Sequence, residues 1–160
     1  MQNIEAILLI IDLIKKKESF YHLEVGFNTK TKLVSILNTV SAKKMFNNKY
    51  PYRSSMSLTM LNSFKKLAEG IVKTFNPSFI IEIGSNDGSF IKNFDKKKVI
   101  GIEPCGNMAK ITQGMGYKTY PNFLNIKLAK KIKSKVKNID LIYAANTVSH
   151  IEDFDSVFGS

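Results

Sequence analysis

Arginine is almost missing. Arg53 is the only one, although Lys and Arg together number 24 against 13 Asp and Glu, for a formal net charge of +11. Such a charge ordinarily suggests a polyanionic partner, because clustered cations release counterions from a phosphate backbone. The guanidinium fork that reads guanine edges and clamps phosphates is nearly absent, however, so nucleic acid is not the expected partner. The lysine runs at 15–17, 96–98 and 127–137 sit at element ends or go round all faces of a helix, as a solvated surface does. Cysteine is nearly absent too. The lone Cys105 excludes an internal disulfide and a cysteine-rich zinc site, and it fits a reducing, cytoplasmic setting. Long hydrophobic runs are also lacking. Ile4 to Ile14 is too short to span a bilayer, has no basic residue before it and is interrupted by Glu5 and Asp12, so a buried helix is expected there and not a signal peptide.

What is present is a core-forming composition, 44% hydrophobic over 160 residues, which fits one compact domain, or a small lead-in plus part of a larger one. Residues 1–17 read as a helix and 20–37 as a small extended region. "NNKYPYRSS" (47–55) is a turn-rich connector. Met56, Met60, Leu61, Phe64, Leu67, Ala68, Ile71 and Val72 then recur every three or four residues, predicting an amphipathic helix with Ser55 or Ser57 as N-cap and Pro77 past its end. From residue 78 strands alternate with helices: "SFIIEIG", helix "SFIKNF", "KKVIGIEP", helix "NMAKITQGM", "YKTY", helix "LNIKLAKKIKSKV" and "IDLIYAANTV". Nearly continuous apolar strands alternating with helices predict an α/β fold with a parallel sheet of about four strands, covered on both faces. The expected divisions are a lead-in at 1–45, a connector and helix at 46–77, and half of a doubly wound domain at 78–160. With only four strands, such a sheet is expected to be incomplete.

Ligands of open α/β sheets bind beyond the carboxyl ends of the strands, where strand order reverses. The first strand ends in Glu82-Ile83-Gly84-Ser85-Asn86-Asp87-Gly88. A dinucleotide fingerprint needs a second glycine where Asn86 stands, and a P-loop needs a Gly-Lys-Ser/Thr that does not follow. The turn suits a cofactor without phosphates, with Gly84 beside an amino-acid moiety and Glu82 near its amino group, and S-adenosylmethionine is such a molecule. A glycine turn by itself is also common after any strand. Glu103 and Pro104 close the second strand, about 20 residues beyond that turn, where a carboxylate holds ribose hydroxyls in dinucleotide folds. In "YPNF", Asn122 can hydrogen-bond an adenine edge and Phe123 can cover a ring face. Asn146, Ser149 and His150 follow the fourth strand; His150 could serve as a base or as an orienting hydrogen-bond partner.

Together, "YPYRSSMS", "IIEIGSNDGSF", "VIGIEP", "YPNF" and "AANTVSHIED" resemble the S-adenosylmethionine-dependent C-methyltransferases that act on nucleotide-linked deoxysugars, over about residues 45–158. The resemblance implies a Rossmann-like class I methyltransferase sheet, with methyl transfer to the carbon beside a 4-keto group of a nucleoside-diphosphate sugar. It places Glu82, Gly84, Ser85, Asn86, Asp87 and Gly88 at the methionine end of the cofactor. Glu103 with Pro104 falls at the ribose, Asn122 and Phe123 at the adenine, and Asn146 and His150 at the transferring methyl. Tyr50 or Tyr52 would close over the pocket. Members of that group also carry zinc on cysteine pairs near the N-terminus. Here Asn28 and Thr31 of "GFNTKTKLV" stand in place of two cysteines, so zinc is not expected. The family's catalytic Tyr-x-Glu-His tract has no counterpart either, and a truncated or degenerate enzyme without turnover of its own is expected. Two other readings remain: a methyltransferase for another small molecule, and a noncatalytic basic α/β binding module.

Overall fold

The computed structural model describes residues 20–151 and 154–159, so the helix expected over 1–17 lies outside the described residues. The chain divides into two compact units, Met1–Val40 and Ser41–Ser160. In the first, β1 (Val25–Phe27) pairs antiparallel with β2 (Val34–Ile36). The Asn28 side-chain oxygen accepts the N–H groups of Lys30 at 2.9 Å and Thr31 at 3.0 Å, so an asparagine side chain closes the turn between the two strands.

The second unit contains α1 (Ala42–Met45), α2 (Leu58–Phe75), β3 (Ile80–Ile83), β4 (Val99–Ile102), α3 (Gly106–Gly114), β5 (Lys118–Tyr120), α4 (Ile126–Lys133), β6 (Leu141–Ala144) and α5 (Phe154–Phe158). Helix α2 is capped at both ends. The Ser57 hydroxyl accepts the Met60 N–H at 3.2 Å, and Asn76 ends the helix in the left-handed conformation ahead of Pro77.

The four strands form one parallel sheet in the order β5-β4-β3-β6. The chain steps outward from β3 through β4 to β5 and then returns to the far side of β3. This is a Rossmann-like arrangement, and it puts the reversal of strand order at the carboxyl end of β3. Alternate residues of each strand feed opposite layers. Ile80 and Val99 join Phe64, Ala68, Ile71, Phe90 and Tyr117 on one face, while Ile81, Ile100 and Ile102 meet Leu128 and Ile132 on the other.

Two expectations are corrected. "SFIKNF" is not an α-helix but a single 3₁₀ turn at Ile91–Asn93. The Asn93 side-chain amide donates to the carbonyls of Ser89 and Phe90 at 3.1 and 2.9 Å, taking acceptors that a helical ladder would use. Ser89, Phe90 and Ile91 are buried in succession, which a one-sided helix cannot achieve. The lysines of α4 also do not go round all its faces. Leu128 and Ile132, one turn apart, make a buried stripe that leaves the lysines on the remainder.

Candidate cofactor site

A cavity of about 610 Å³ opens at the carboxyl end of β3. Glu82, Gly84, Ser85, Asn86, Glu103 and Pro104 line it from the ends of β3 and β4. Asn122 and Phe123 line it from the segment after β5, and Asn146, His150, Tyr50 and Tyr52 also border it. Residues from all five of the singled-out stretches therefore meet around one space, although Ser149 is not among them.

The turn after β3 is tied to the neighbouring strand before any ligand is considered. Gly84 and Ser85 donate to the Ile102 carbonyl at 2.7 and 3.2 Å, and Gly84 has φ 72°. One Glu103 carboxylate oxygen accepts the Asn86 N–H at 2.7 Å and the other accepts the Cys105 N–H at 2.7 Å. The Cys105 thiol also donates to this carboxylate, and its four lone-pair positions still leave room for a ligand hydroxyl. Burial pushes the Glu103 carboxyl above its ordinary range against the pull of these two N–H donors. The neighbouring Cys105 thiol is pushed up to about 12, first by burial and then by the Glu103 charge, so it is held as a neutral thiol.

Asp87 and Gly88 do not line the cavity. Asp87 is buried and accepts the Ser55 N–H at 3.1 Å and the Ser89 hydroxyl at 2.7 Å. Gly88 has φ 83°, and a Cβ there would come within 2.6 Å of Thr112 Cγ2 and 2.9 Å of Met115 Cε, so its bareness serves packing against α3 and its end. Asn86 divides its groups: its side-chain oxygen accepts the Ser54 N–H at 3.0 Å and its amide donates to the Tyr52 carbonyl at 3.2 Å. Asn107, which sequence reasoning passed over, donates its amide to the Tyr50 carbonyl at 2.8 Å. The turn-rich connector is thus strapped beside the cavity by its main chain, leaving the Tyr52 ring half exposed. Thr147 was also missed, although it sits within the "AANTVSHIED" tract. Its hydroxyl donates to the Ala145 carbonyl at 2.9 Å, and its side chain occupies the space where a Cβ on Gly84 would fall. His150 is exposed, its ring centre 5.7 Å from that of Phe46 in an edge-on arrangement.

Glu82 is the outlier. It is 3% exposed, and its Oε2 has no hydrogen-bond partner. Burial first, and then the charges of Glu103 and Asp87, hold its carboxyl well above the ordinary 4.5, with only the Ile91 N–H pulling the other way. A carboxyl raised on folding contributes stability that is complete below 4.5 and is lost as pH rises through the folded-state value. Glu82→Gln keeps the shape without the charge. It is expected to flatten the fall in melting temperature toward alkaline pH and to raise it at about pH 8 by roughly 4 °C. Thermal melts of both proteins across the pH range check this; parallel profiles would mean that Glu82 is not the group responsible.

No family model matches the sequence. A curated protein does match. The chain is 22% identical over 145 residues to C-methyltransferase NovU of Streptomyces niveus, an alignment covering 88% of this chain and 34% of NovU. The sequence is similar to a C-methyltransferase. It spans about a third of that relative's length. A solved structure from Methanococcus maripaludis, provisionally assigned as an S-adenosyl-L-methionine-dependent methyltransferase, aligns with 17% identity and a TM-score of 0.45, over 76% of this chain and 60% of that one. The fold assignment stands on the strand order itself.

Proposed function

We propose that the chain seats S-adenosyl-L-methionine in the cavity at the end of β3 and serves C-methylation of a nucleoside-diphosphate 4-keto-deoxysugar. The observation that carries this reading is a reversal of charge. In a chain of net charge +11, the cavity wall has two carboxyl groups, Glu82 and Glu103, and, among the described residues, neither a lysine nor an arginine. A phosphate-bearing cofactor would find no cation to pair with there; a cofactor with an ammonium and a sulfonium meets acidic groups that can pair with it. The likeness to a C-methyltransferase supports the same reading.

The cofactor supplies a methyl group made electrophilic by a positively charged sulfur. In this reading the residues of the chain bind and orient. Glu103 accepts from the ribose hydroxyls, Asn122 and Phe123 take the adenine, and Ser85 and Asn86 flank the amino-acid end. Asn146, His150 and Tyr52 stand at the acceptor side, where His150 can take a proton from the carbon beside the ketone and Asn146 can donate a hydrogen bond to the oxygen that gains charge. In this reading the cofactor contacts come from 78–160 and the closing strap from 46–77, and zinc is not expected in 1–45. A reducing, cytoplasmic setting fits the single buried thiol.

Calorimetric titration with S-adenosylhomocysteine tests the proposal, and micromolar binding with one site per chain is expected. Absence of binding, combined with salt-sensitive binding to heparin or RNA, would support a basic binding module instead. Labelled methyl appearing in a 4-keto-sugar incubated with the chain and S-adenosyl-L-methionine would support the transfer step; cofactor binding without it would confine the assignment to the cofactor seat.

A further inference from the structure

The charge reversal has a second side, because carboxylates buried together without a cation cannot all remain ionised. Glu82 meets this condition from every direction. Its own strand, β3, continues into the Gly84 turn; β4 brings the Glu103 carboxylate, and the loop behind brings Asp87. Across the sheet, β6 places Tyr143 in register with it, a neutral phenol whose own ionisation is pushed up by burial and by Glu82. The turn after the loop offers the Ile91 N–H, and α2 contributes the apolar Met60 and Phe64 to the cavity wall. Against these, Oε2 is a buried oxygen without a partner in a residue that lines the cavity. It is placed to receive a donor carried by a ligand.

We propose that Glu82 carries a proton in the free protein and gives it up when a ligand ammonium is seated, so that cofactor binding releases close to one proton. This rests on the cofactor reading above and extends it to regulation by pH. The bookkeeping is simple: the O–H bond of Glu82 breaks, its proton passes to solvent buffer, and the carboxylate pairs with an ammonium that was already charged. Binding must then tighten as pH rises, about tenfold per pH unit while Glu82 in the free protein is protonated, and level off above that range. A ligand of the same nucleoside type without the amino-acid arm binds with no proton exchanged.

The experiment is titration calorimetry of the 160-residue chain with S-adenosylhomocysteine, in buffers of equal pH but different ionisation enthalpy, repeated across the acid to neutral range. The expected result is release of close to one proton per site, with the pH slope described. 5′-Methylthioadenosine, which lacks the ammonium and carboxylate, is expected to bind more weakly with no proton released. Glu82→Gln is expected to bind S-adenosylhomocysteine with a pH-independent affinity and no proton release. Binding of S-adenosylhomocysteine without proton release overturns the proposal and leaves the cofactor reading standing. Release that persists in Glu82→Gln assigns the proton elsewhere, with Glu103 the next group, and also overturns it. No binding of either nucleoside overturns the cofactor reading and this inference with it. Should Glu82→Gln fail to fold, the contrast between the two nucleosides on the unaltered chain decides the matter.

Discussion

Phe90→Ala is expected to destabilise the protein by about 3–5 kcal/mol, a large share of the roughly 5–15 kcal/mol that holds a domain of this size together. Phe90 is fully buried and is the ring on which three others converge. Its centre lies 5.9 Å from that of Phe64 on α2, 5.0 Å from Phe94 and 4.1 Å from Tyr143 on β6. Truncation therefore removes contacts to a helix, a turn and a strand at once. The cavity left behind can collapse only by moving the sheet, so the cost falls at the upper end for such a change. Phe75→Ala makes the control: that ring, at the end of α2, is 70% exposed, and its removal is expected to cost no more than about 0.5 kcal/mol. Urea denaturation followed by circular dichroism separates the two. Equal midpoints for both variants would show that the Phe90 cluster is not the centre of the fold.

The elements around this cluster were readable because each has a period of its own. The 3.6-residue stripe of α2 and the apolar runs of β3 and β4 announce which faces are buried, and β-α alternation then limits the sheet to a parallel one. The connection between β3 and β4 was misread because local competition decided it. The Asn93 amide captures two carbonyls, and this depends on a rotamer that no hydrophobic pattern encodes. The α4 lysines were misread because a run of cations masks the two apolar residues, Leu128 and Ile132, that orient the helix.

At the site, residues that end strands were legible and residues that act across the chain were not. Glu82, Gly84 and Glu103 follow from one rule about strand ends. The partners of Asn86 and Asp87, in contrast, are main-chain groups of Ser54 and Ser55, 32 residues away, and nothing local in "GSNDG" points to them. The consequence is a change of assignment. Asp87 was expected to line the cofactor end; it braces the connector from behind the cavity wall, as its bonds to Ser55 and Ser89 show. Gly88 was grouped with it, and is instead held bare by Thr112 and Met115.

The turn at Gly84 gives the largest expected effect on binding. Gly84→Ala should weaken S-adenosylhomocysteine affinity by about a hundredfold, equivalent to roughly 3 kcal/mol, while the chain remains folded. Two separate penalties combine. At φ 72° an alanine pays about 1–2 kcal/mol for the left-handed conformation. Its Cβ would also overlap the Thr147 hydroxyl and come within 3.0 Å of Thr147 Cγ2. Thr147 cannot swing away without cost, because its hydroxyl holds the Ala145 carbonyl at 2.9 Å and fixes the bend that places Asn146 at the cavity. The turn is also pinned from the other side, through the bonds from Gly84 and Ser85 to Ile102, so the strain is passed to the β3 end where the amino-acid arm is proposed to sit. The double variant Gly84→Ala/Thr147→Ala removes the overlapping atoms and leaves the backbone penalty. It should recover about tenfold of the lost affinity, since about 1.4 kcal/mol corresponds to each factor of ten. If the single variant binds like the unaltered chain, the ligand does not rest on this turn. If the double variant recovers nothing, backbone conformation alone makes glycine necessary there.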